Sequence, residues 1–408
     1  MTGSAMAPWP NFTEEEAEAV SRVLLSNKVN YWTGEECRRF EDEFAAFAAT
    51  DHAIAVANGT VALELALHGL RIGTANGGDA DDEVIVTPRS FIASASCVIQ
   101  AGAKPVFADV GAVSGNLEPD TIAAAMTPRT RAVICVHLAG LPCDMDAIRQ
   151  MVGDEVFLIE DCAQAHGALY KGRPVGGLGD VAAWSFCQDK IMTTGGEGGM
   201  VTCDDEALWR RMWAFKDHGK SYEAVYERDH PPGFRWLHES IGMNGRMIEM
   251  QAAIGRIQLR RMEQWNADRS KNADRLYDAL SPYSGPDGFL QLPPPFLSDE
   301  AVAMQNYSFR HAWYRFTAFV VPERLPGDRA DRDGILRHLQ EQGVACMQGS
   351  CSEIYLEKAF DGYGCRPAER LPTAKRMGET SLTFLVHPGL TVPSFDLSPE
   401  RLHNASVC

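Results

Sequence analysis

The sequence predicts an α/β protein: a large domain with a mostly parallel seven-stranded sheet between helices, then a smaller C-terminal α/β domain. Three observations carry this. Seven short apolar runs, at 53–57, 83–87, 105–109, 132–137, 156–161, 181–186 and 199–203, have the length of buried strands. Helical patterns at 61–69, 92–101, 118–126 and 145–151 separate several of them, and strands joined through helices form parallel sheets covered on both faces. Beyond a proline break at 293–295, strand patterns at 313–321 and 381–386 flank a helical pattern at 331–342.

Ahead of the sheet, 13–25 reads as a helix, with Thr13 as its cap and Glu14, Glu15 and Glu16 in the first turn, where carboxylates meet the positive end of the dipole. The loop from Asn30 to Gly34 leads to an amphipathic helix at 36–49. After the seventh strand, 205–219 and 246–281 read as helices. The second is long, with Met247, Met250, Ala253, Ile254, Ile257 and Leu259 on its apolar side. A Pro/Gly/Ser-rich seam follows at 281–295. The expected division is 1–265 for the N-terminal helices and large domain, and 266–408 for the rest of the long helix and the small domain. Residues 393–408 read poorly as a helix, and no internal repeat or low-complexity tract is visible.

The chain has 408 residues, 45% hydrophobic, enough for a large core in two domains. No apolar run approaches the roughly 20 residues of a membrane span. The first ten residues lack the basic and apolar regions of a signal peptide, so a cytoplasmic protein is expected. A formal net charge of −17 argues against nucleic acid or an anionic membrane as partner. The eleven cysteines are scattered, with no CxxC pair and no Cys/His cluster at metal-ligand spacing. Reduced, buried thiols and no metal are expected.

Strand ends are where such a sheet presents ligand-binding residues. After the first run comes Asn58-Gly59-Thr60, opening a helix through Val61. A glycine and a hydroxyl at a helix N-terminus offer N–H groups and a favourable dipole to a phosphate, although an ordinary cap reads the same way. After the second run, Pro88-Arg89-Ser90-Phe91 places a ring where it could stack on a planar ligand or fill core. The fifth run ends in Glu160-Asp161, where a carboxylate could hold a protonated heterocycle nitrogen or cap a turn. The sixth ends in Ser185 and is followed by Lys190 and the turn Gly195-Gly196-Glu197-Gly198-Gly199. A lysine near glycines is ordinarily a solvated loop residue. Held over a pocket, its amine can form a Schiff base with an aldehyde. Phosphate cradle, stacking ring, strand-end carboxylate and turn lysine, in order, are the four things pyridoxal 5′-phosphate needs from a protein.

From Pro8 to Gly389 the sequence also resembles the DegT/DnrJ/EryC1/StrS family of fold-type-I, pyridoxal-phosphate-dependent sugar aminotransferases. The resemblance runs through Tyr31-Trp32-Thr33-Gly34, Asn58 to Leu63, Pro105-Val106-Phe107-Ala108-Asp109, Thr127-Pro128-Arg129-Thr130 and Val136-His137-Leu138-Ala139-Gly140. It continues through Glu160-Asp161-Cys162-Ala163-Gln164-Ala165-His166-Gly167, the segment of Ser185 and Lys190, and Met250 to Gly255. It implies Lys190 as the Schiff-base lysine, Asp161 at the pyridine nitrogen, Gln164 at the ring hydroxyl and Phe91 on the ring face. Thr60, Ser185 and the Gly59 and Val61 backbone would hold the phosphate. It implies a homodimer with active sites at the interface, Asn244 reaching the partner's phosphate. Glutamate would be the amino donor, and a keto sugar, nucleotide-linked, the acceptor.

Relatives that dehydrate instead carry histidine at the lysine position; this chain keeps lysine, which favours transamination. Two departures stand out. Gly245 replaces an aromatic residue between Asn244 and Arg246, which predicts a looser contact in trans. The chain after Gly389 lacks the expected last helix. Weaker substrate candidates are Trp32 (with Tyr31), His166, His218, Arg246 and Gln348, each equally readable as structural. Two other readings stay open: a lyase or desulfurase using an exposed, reactive Cys351, and a non-catalytic regulator that binds the cofactor. The sugar, the carbon aminated and the pathway are not readable from sequence.

Overall fold

The computed structural model describes residues 9–294, 308–325, 331–398 and 401–402. Pro8, Pro295 and most of 399–408, on which some expectations fell, lie outside the described residues.

Two helices lead. The first, α1 (Glu14–Leu25), closes its start with a capping box between Thr13 and Glu16. The second, α2 (Glu36–Ala48), ends at Ala49 in the left-handed conformation. The large sheet has seven strands: β1 (His52–Val56), β2 (Glu83–Val86), β3 (Lys104–Phe107), β4 (Thr130–Val136), β5 (Phe157–Asp161), β8 (Val181–Ser185) and β9 (Gly199–Cys203). Their spatial order is β1-β9-β8-β5-β4-β2-β3. Among these seven, β9 alone runs antiparallel to its neighbours β1 and β8. The rest are parallel, so the C-terminal ends of β1, β2, β4, β5 and β8 share one edge. The strands are buried almost throughout because α3 (Gly59–Gly69), α4 (Ala93–Gln100), α5 (Pro119–Ala123), α6 (Met145–Val152) and α7 (Glu206–Phe215) cover them. This is the pattern expected of near-continuous apolar runs.

Buried polar atoms stitch β4, β5 and the loop before β8. The carboxylate of Glu160 accepts from His137 Nε2 at 2.9 Å and from the N–H groups of Gly176, Leu178 and Gly179 at 2.8–2.9 Å. His137 Nδ1 in turn accepts from Cys143 N–H. Burial alone would push this carboxyl up, but these donors hold it below its usual value. Cys162 lies close enough to complete a metal-like trio, yet both ring nitrogens and both carboxylate oxygens are already spent on the scaffold.

The long helix α9 (Glu249–Leu280) ties the molecule together. Its first residue, Glu249, accepts from the N–H groups of Glu36 and Cys37 at the start of α2. Ala253 and Ile257 pack on Ala19 and Val23 of α1, and Met262 joins the main core. Further along, Ala273, Leu276 and Leu280 belong to a second core beneath a four-stranded sheet of order β10-β12-β14-β13. Its strands are β10 (Leu290–Gln291), β12 (Phe316–Val320), β13 (Cys346–Met347) and β14 (Ser381–Phe384), and the helix Arg332–Glu341 packs on them.

The differences from expectation are local. The helix expected over 205–219 stops at Phe215, since His218 adopts a φ of 59°. That expected over 118–126 is one short turn, Pro119–Ala123. The strand expected from 313 starts at Phe316 because Trp313 sits at a φ of 49°. Two-residue strands, β6 (Leu169–Tyr170), β7 (Arg173–Pro174) and β11 (Phe309–Arg310), form a small sheet too short to give a sequence period.

Candidate active site

The C-terminal ends of β1, β5 and β8 lie along one edge of the sheet. At the end of β1, Asn58 caps α3 by accepting from Val61 N–H at 3.0 Å, leaving the first turn of the helix pointing its N–H groups outward. A Cβ on Gly59 would lie 2.7 Å from the Cβ of Ser185. Only glycine therefore lets the start of α3 and the end of β8 close into one cup, formed by Gly59, Thr60, Val61 and Ser185. Helix dipole, N–H groups and a hydroxyl suit a phosphate. This steric fit is the structural test that the cradle passes.

Beside it, Asp161 ends β5 almost fully buried. Its Oδ2 accepts from Ser94 Oγ at 2.8 Å, Ser94 is bonded to Ser90 at 2.8 Å, and Oδ1 accepts from Ala163 N–H at 3.1 Å. Two donors, one on each oxygen, with Ser90 behind Ser94, fix the direction of the carboxylate. Gln164 lies buried on the same loop, its Oε1 accepting from Ala139 N–H at 2.8 Å. Phe91, at the start of the α4 turn, is 69% exposed, an open ring face at the mouth of the site.

Lys190 stands on the turn after β8. Phe186 anchors that turn at both ends: its N–H donates to Gly198 O at 2.8 Å and its carbonyl accepts from Thr193 Oγ1 at 2.9 Å. Gly195 and Gly196 turn the chain with φ of 91° and 124°, a region closed to most side chains. The half-buried Lys190 projects Nζ to 5.1 Å from the ring centroid of Tyr314. Tyr314 donates its hydroxyl to Asp189, and Arg315 stacks on the same ring at 4.2 Å. Burial would raise the Asp189 carboxyl, but Lys190, Tyr314 and Arg315 hold it below its usual value. Ser90, Ser94, Asp189, Tyr314 and Arg315 carried no local motif. Only Ser90 and Ser94, four apart at a helix start, left a trace, since that spacing puts both hydroxyls on one face.

The weaker substrate candidates divide. His166 is 0% exposed and packed against Trp184 and Phe186, with Lys190 close enough to act on its charge, and neither ring nitrogen has a hydrogen-bond partner among the described residues. Tyr31 is also buried, donating to Glu41. Trp32 packs on Trp213 of α7 and on Tyr226, with Lys220 over its ring at 4.0 Å, so its ring is committed to α7 and the segment after it. Arg246 pairs with the buried Asp217. His218 and Asn244 are exposed, as is Gln348, whose amide lies 3.4 Å from Asp333. Gly245 shows none of the freedom expected of it within the chain. Its N–H bonds Lys216 O at 2.9 Å, its carbonyl accepts from Ala57 N–H at 2.8 Å, and a Cβ there would approach Val61 Cγ1 to 3.1 Å. An aromatic side chain at that position would press on the phosphate cup.

Buried histidines give this fold an acid limit. Burial, helped by Lys190 and Arg269, pushes the His166 imidazole down to about 3, and burial does the same for His311. In the unfolded chain both protonate near pH 6.5. Between these values the unfolded state binds more protons, so stability is complete above about pH 6.5 and is lost as pH falls toward 3. The urea midpoint is expected to drop steadily over that window. A midpoint independent of pH there would contradict the buried neutral rings.

Three comparisons bear on this site. The model of the DegT/DnrJ/EryC1/StrS aminotransferase family matches residues 10–396. The X-ray structure of the aminotransferase from Psychrobacter cryohalolentis is 55% identical, covering 98% of this chain and 97% of that one, with a TM-score of 0.89. GDP-perosamine synthase of Caulobacter vibrioides is 41% identical over 359 residues, 88% of this chain and 86% of that protein. The dTDP-3-amino-3,4,6-trideoxy-alpha-D-glucose transaminase of Streptomyces venezuelae is 34% identical over 388 residues, 95% and 91% respectively.

Proposed function

This chain belongs to the DegT/DnrJ/EryC1/StrS aminotransferase family, and from that premise we propose that it transfers an amino group from glutamate to a nucleotide-linked keto sugar, using pyridoxal 5′-phosphate, in amino-sugar biosynthesis. The observation that carries this reading is the convergence of Lys190, Asp161 and the Gly59–Ser185 cup at one sheet edge. Two relatives that match most of the chain are named for GDP- and dTDP-linked amino sugars.

The residues present fit the cofactor. The cup of Gly59, Thr60 and Ser185 would take its phosphate, the expected Val61 N–H being already given to Asn58, and Asp161 would take its pyridine nitrogen. Gln164 would take the ring hydroxyl and Phe91 one ring face. When bound, the cofactor supplies an electrophilic aldehyde carbon and a ring that accepts electrons. Lys190 Nζ would hold the cofactor through its aldehyde and, once released by the amino donor, would serve as the base that carries the donor's α-proton. Asp161 would keep a proton on the ring nitrogen, and the Ser94 and Ala163 donors hold its carboxylate in place. Ser185 and the first turn of α3 fix the other end, so the reacting carbon stays within reach of the lysine.

The acceptor is tested with the purified holoenzyme, glutamate and a panel of GDP- and dTDP-linked keto sugars. At least one sugar is expected to gain an amine by mass, with 2-oxoglutarate in equal amount. Release of 2-oxoglutarate without any sugar aminated would overturn the nucleotide-sugar reading and leave transamination standing. The lyase reading built on Cys351 has no support beyond that thiol's exposure, and Cys351→Ser is expected to keep full activity.

We also read the functional unit as a cytoplasmic homodimer whose chain divides near residue 265, within α9. Among the described residues no helix is long and apolar enough to cross a membrane. Phe234, Trp236 and Ile241 are strongly exposed beside Asn244, and the first two rings meet at 5.3 Å. An apolar group left bare next to a site residue is what a second copy would cover. Trp236→Glu is expected to move the sedimentation profile from dimer toward monomer and to cut activity with it. A dimer unchanged by this substitution would place the interface elsewhere.

A further inference from the structure

We propose that Tyr314 is a positioning residue for Lys190: its ring face seats the lysine ammonium, and its hydroxyl, tied to Asp189, holds the ring in place. This rests on Lys190 being the reactive amine. The segment that carries Tyr314 comes from the far side of α9 and docks on the large domain by two backbone bonds. Ala312 N–H donates to Gly140 O at 2.9 Å, and Arg315 N–H to Ala139 O at 3.3 Å. Ala139 is the residue whose own N–H holds Gln164. One short loop therefore registers both the ring beside the lysine and the glutamine of the strand-end loop.

Within this arrangement Tyr314 is 6% exposed and its hydroxyl donates to the carboxylate of the residue adjoining Lys190. Arg315 lies 3.7 Å from that carboxylate and covers the ring at 4.2 Å, while Lys190 Nζ lies 5.1 Å from the centroid. The tie to Asp189 couples ring to turn, so ring and lysine move together. An aromatic face attracts a cation and not a neutral amine. Tyr314 thus offers its face to the ammonium, the form in which Lys190 delivers a proton. The other charged or titratable groups facing the lysine are Asp189 on its own turn, Arg315, and the buried His166 and Arg269 behind it.

The test needs no cofactor. In cofactor-free protein, acetylation of Lys190 by acetic anhydride is followed against pH by peptide mass spectrometry, with the exposed Lys358 as internal reference. Tyr314→Leu and Tyr314→Met remove the ring face, and Tyr314→Phe keeps it. Near neutral pH, Lys190 is expected to react about three- to tenfold faster in the Leu and Met variants, because its profile moves to lower pH by roughly half a unit to one unit. Rates should converge at alkaline pH, where every amine is neutral, and the Phe profile should overlay the wild type. If Leu does not fold, Met carries the comparison. A profile that does not move overturns the proposal. So does an equal acceleration at all pH, which reports access alone, or a Phe profile displaced as far as Leu. None of these outcomes touches the aminotransferase reading, which stands or falls on the spectra of Lys190→Ala.

Discussion

Lys190→Ala is expected to abolish turnover, by at least about 10⁴-fold, because the substitution removes both the covalent anchor of the aldehyde and the base that moves the proton. The fold should survive. Lys190 is half-buried on a turn held by Phe186, Thr193 and the glycines, and its ammonium lies over the Tyr314 ring. The visible spectrum separates the possible causes. Wild type is expected to show the long-wavelength band of lysine-bound cofactor and to lose it on adding glutamate. The variant should show only free-aldehyde absorption, and small exogenous amines should restore part of the rate. A wild-type band in the variant would mean that another lysine serves. Lys216 is a poor substitute, being wholly buried with its Nζ 3.4 Å from the Tyr31 ring centroid.

Asp161→Asn is expected to lower kcat by on the order of 10²–10³-fold while leaving the KM for glutamate within a few-fold. The amide keeps the size of the carboxylate and can still accept from Ser94. It cannot, however, hold a proton on the ring nitrogen by charge, and that support matters most when the substrate carbon gives up its proton. Ser94→Ala should follow in the same direction with a smaller effect, roughly that of one hydrogen bond to a charged group. A KM effect without a kcat effect in Asp161→Asn would make the residue a binding contact and remove it from the chemistry.

Most of the large domain was legible because its signals are short-range. A run of four to seven apolar residues closed by Asn58, Phe91, Asp161 or Ser185 reads as a strand end wherever the chain goes afterwards, and strand ends of a parallel sheet share an edge by topology alone. Gly59 and the turn glycines were legible for a related reason, since a position without a side chain usually marks a close approach or a reversed φ. The boundaries that slipped were those set by single residues in unusual conformations: His218 and Trp313, both non-glycine at positive φ. Tertiary bonds hold both segments: His218 N–H donates to Met243 O, and Trp313 sits between Ala312, whose N–H donates to Gly140 O, and Arg315, whose N–H donates to Ala139 O.

The fate of His166 shows the limit. Four residues separate it from Asp161, and nothing local says which of the two faces a ligand. The packing of Trp184 and Phe186 set their surroundings, closing over the imidazole, while Ser94 bonds the Asp161 carboxylate.

By itself the sequence determined the fold class, the order of the strand-end residues and the place of a lysine on a glycine turn, because each is written in a few neighbouring residues. Only the tertiary structure brought Tyr314 and Arg315 to a lysine more than a hundred residues away, pinned Gly245 between Ala57 and Lys216, and buried His166. Those outcomes depend on which surfaces remain to be covered once the sheet and α9 have formed, and packing between distant segments leaves no period in the chain.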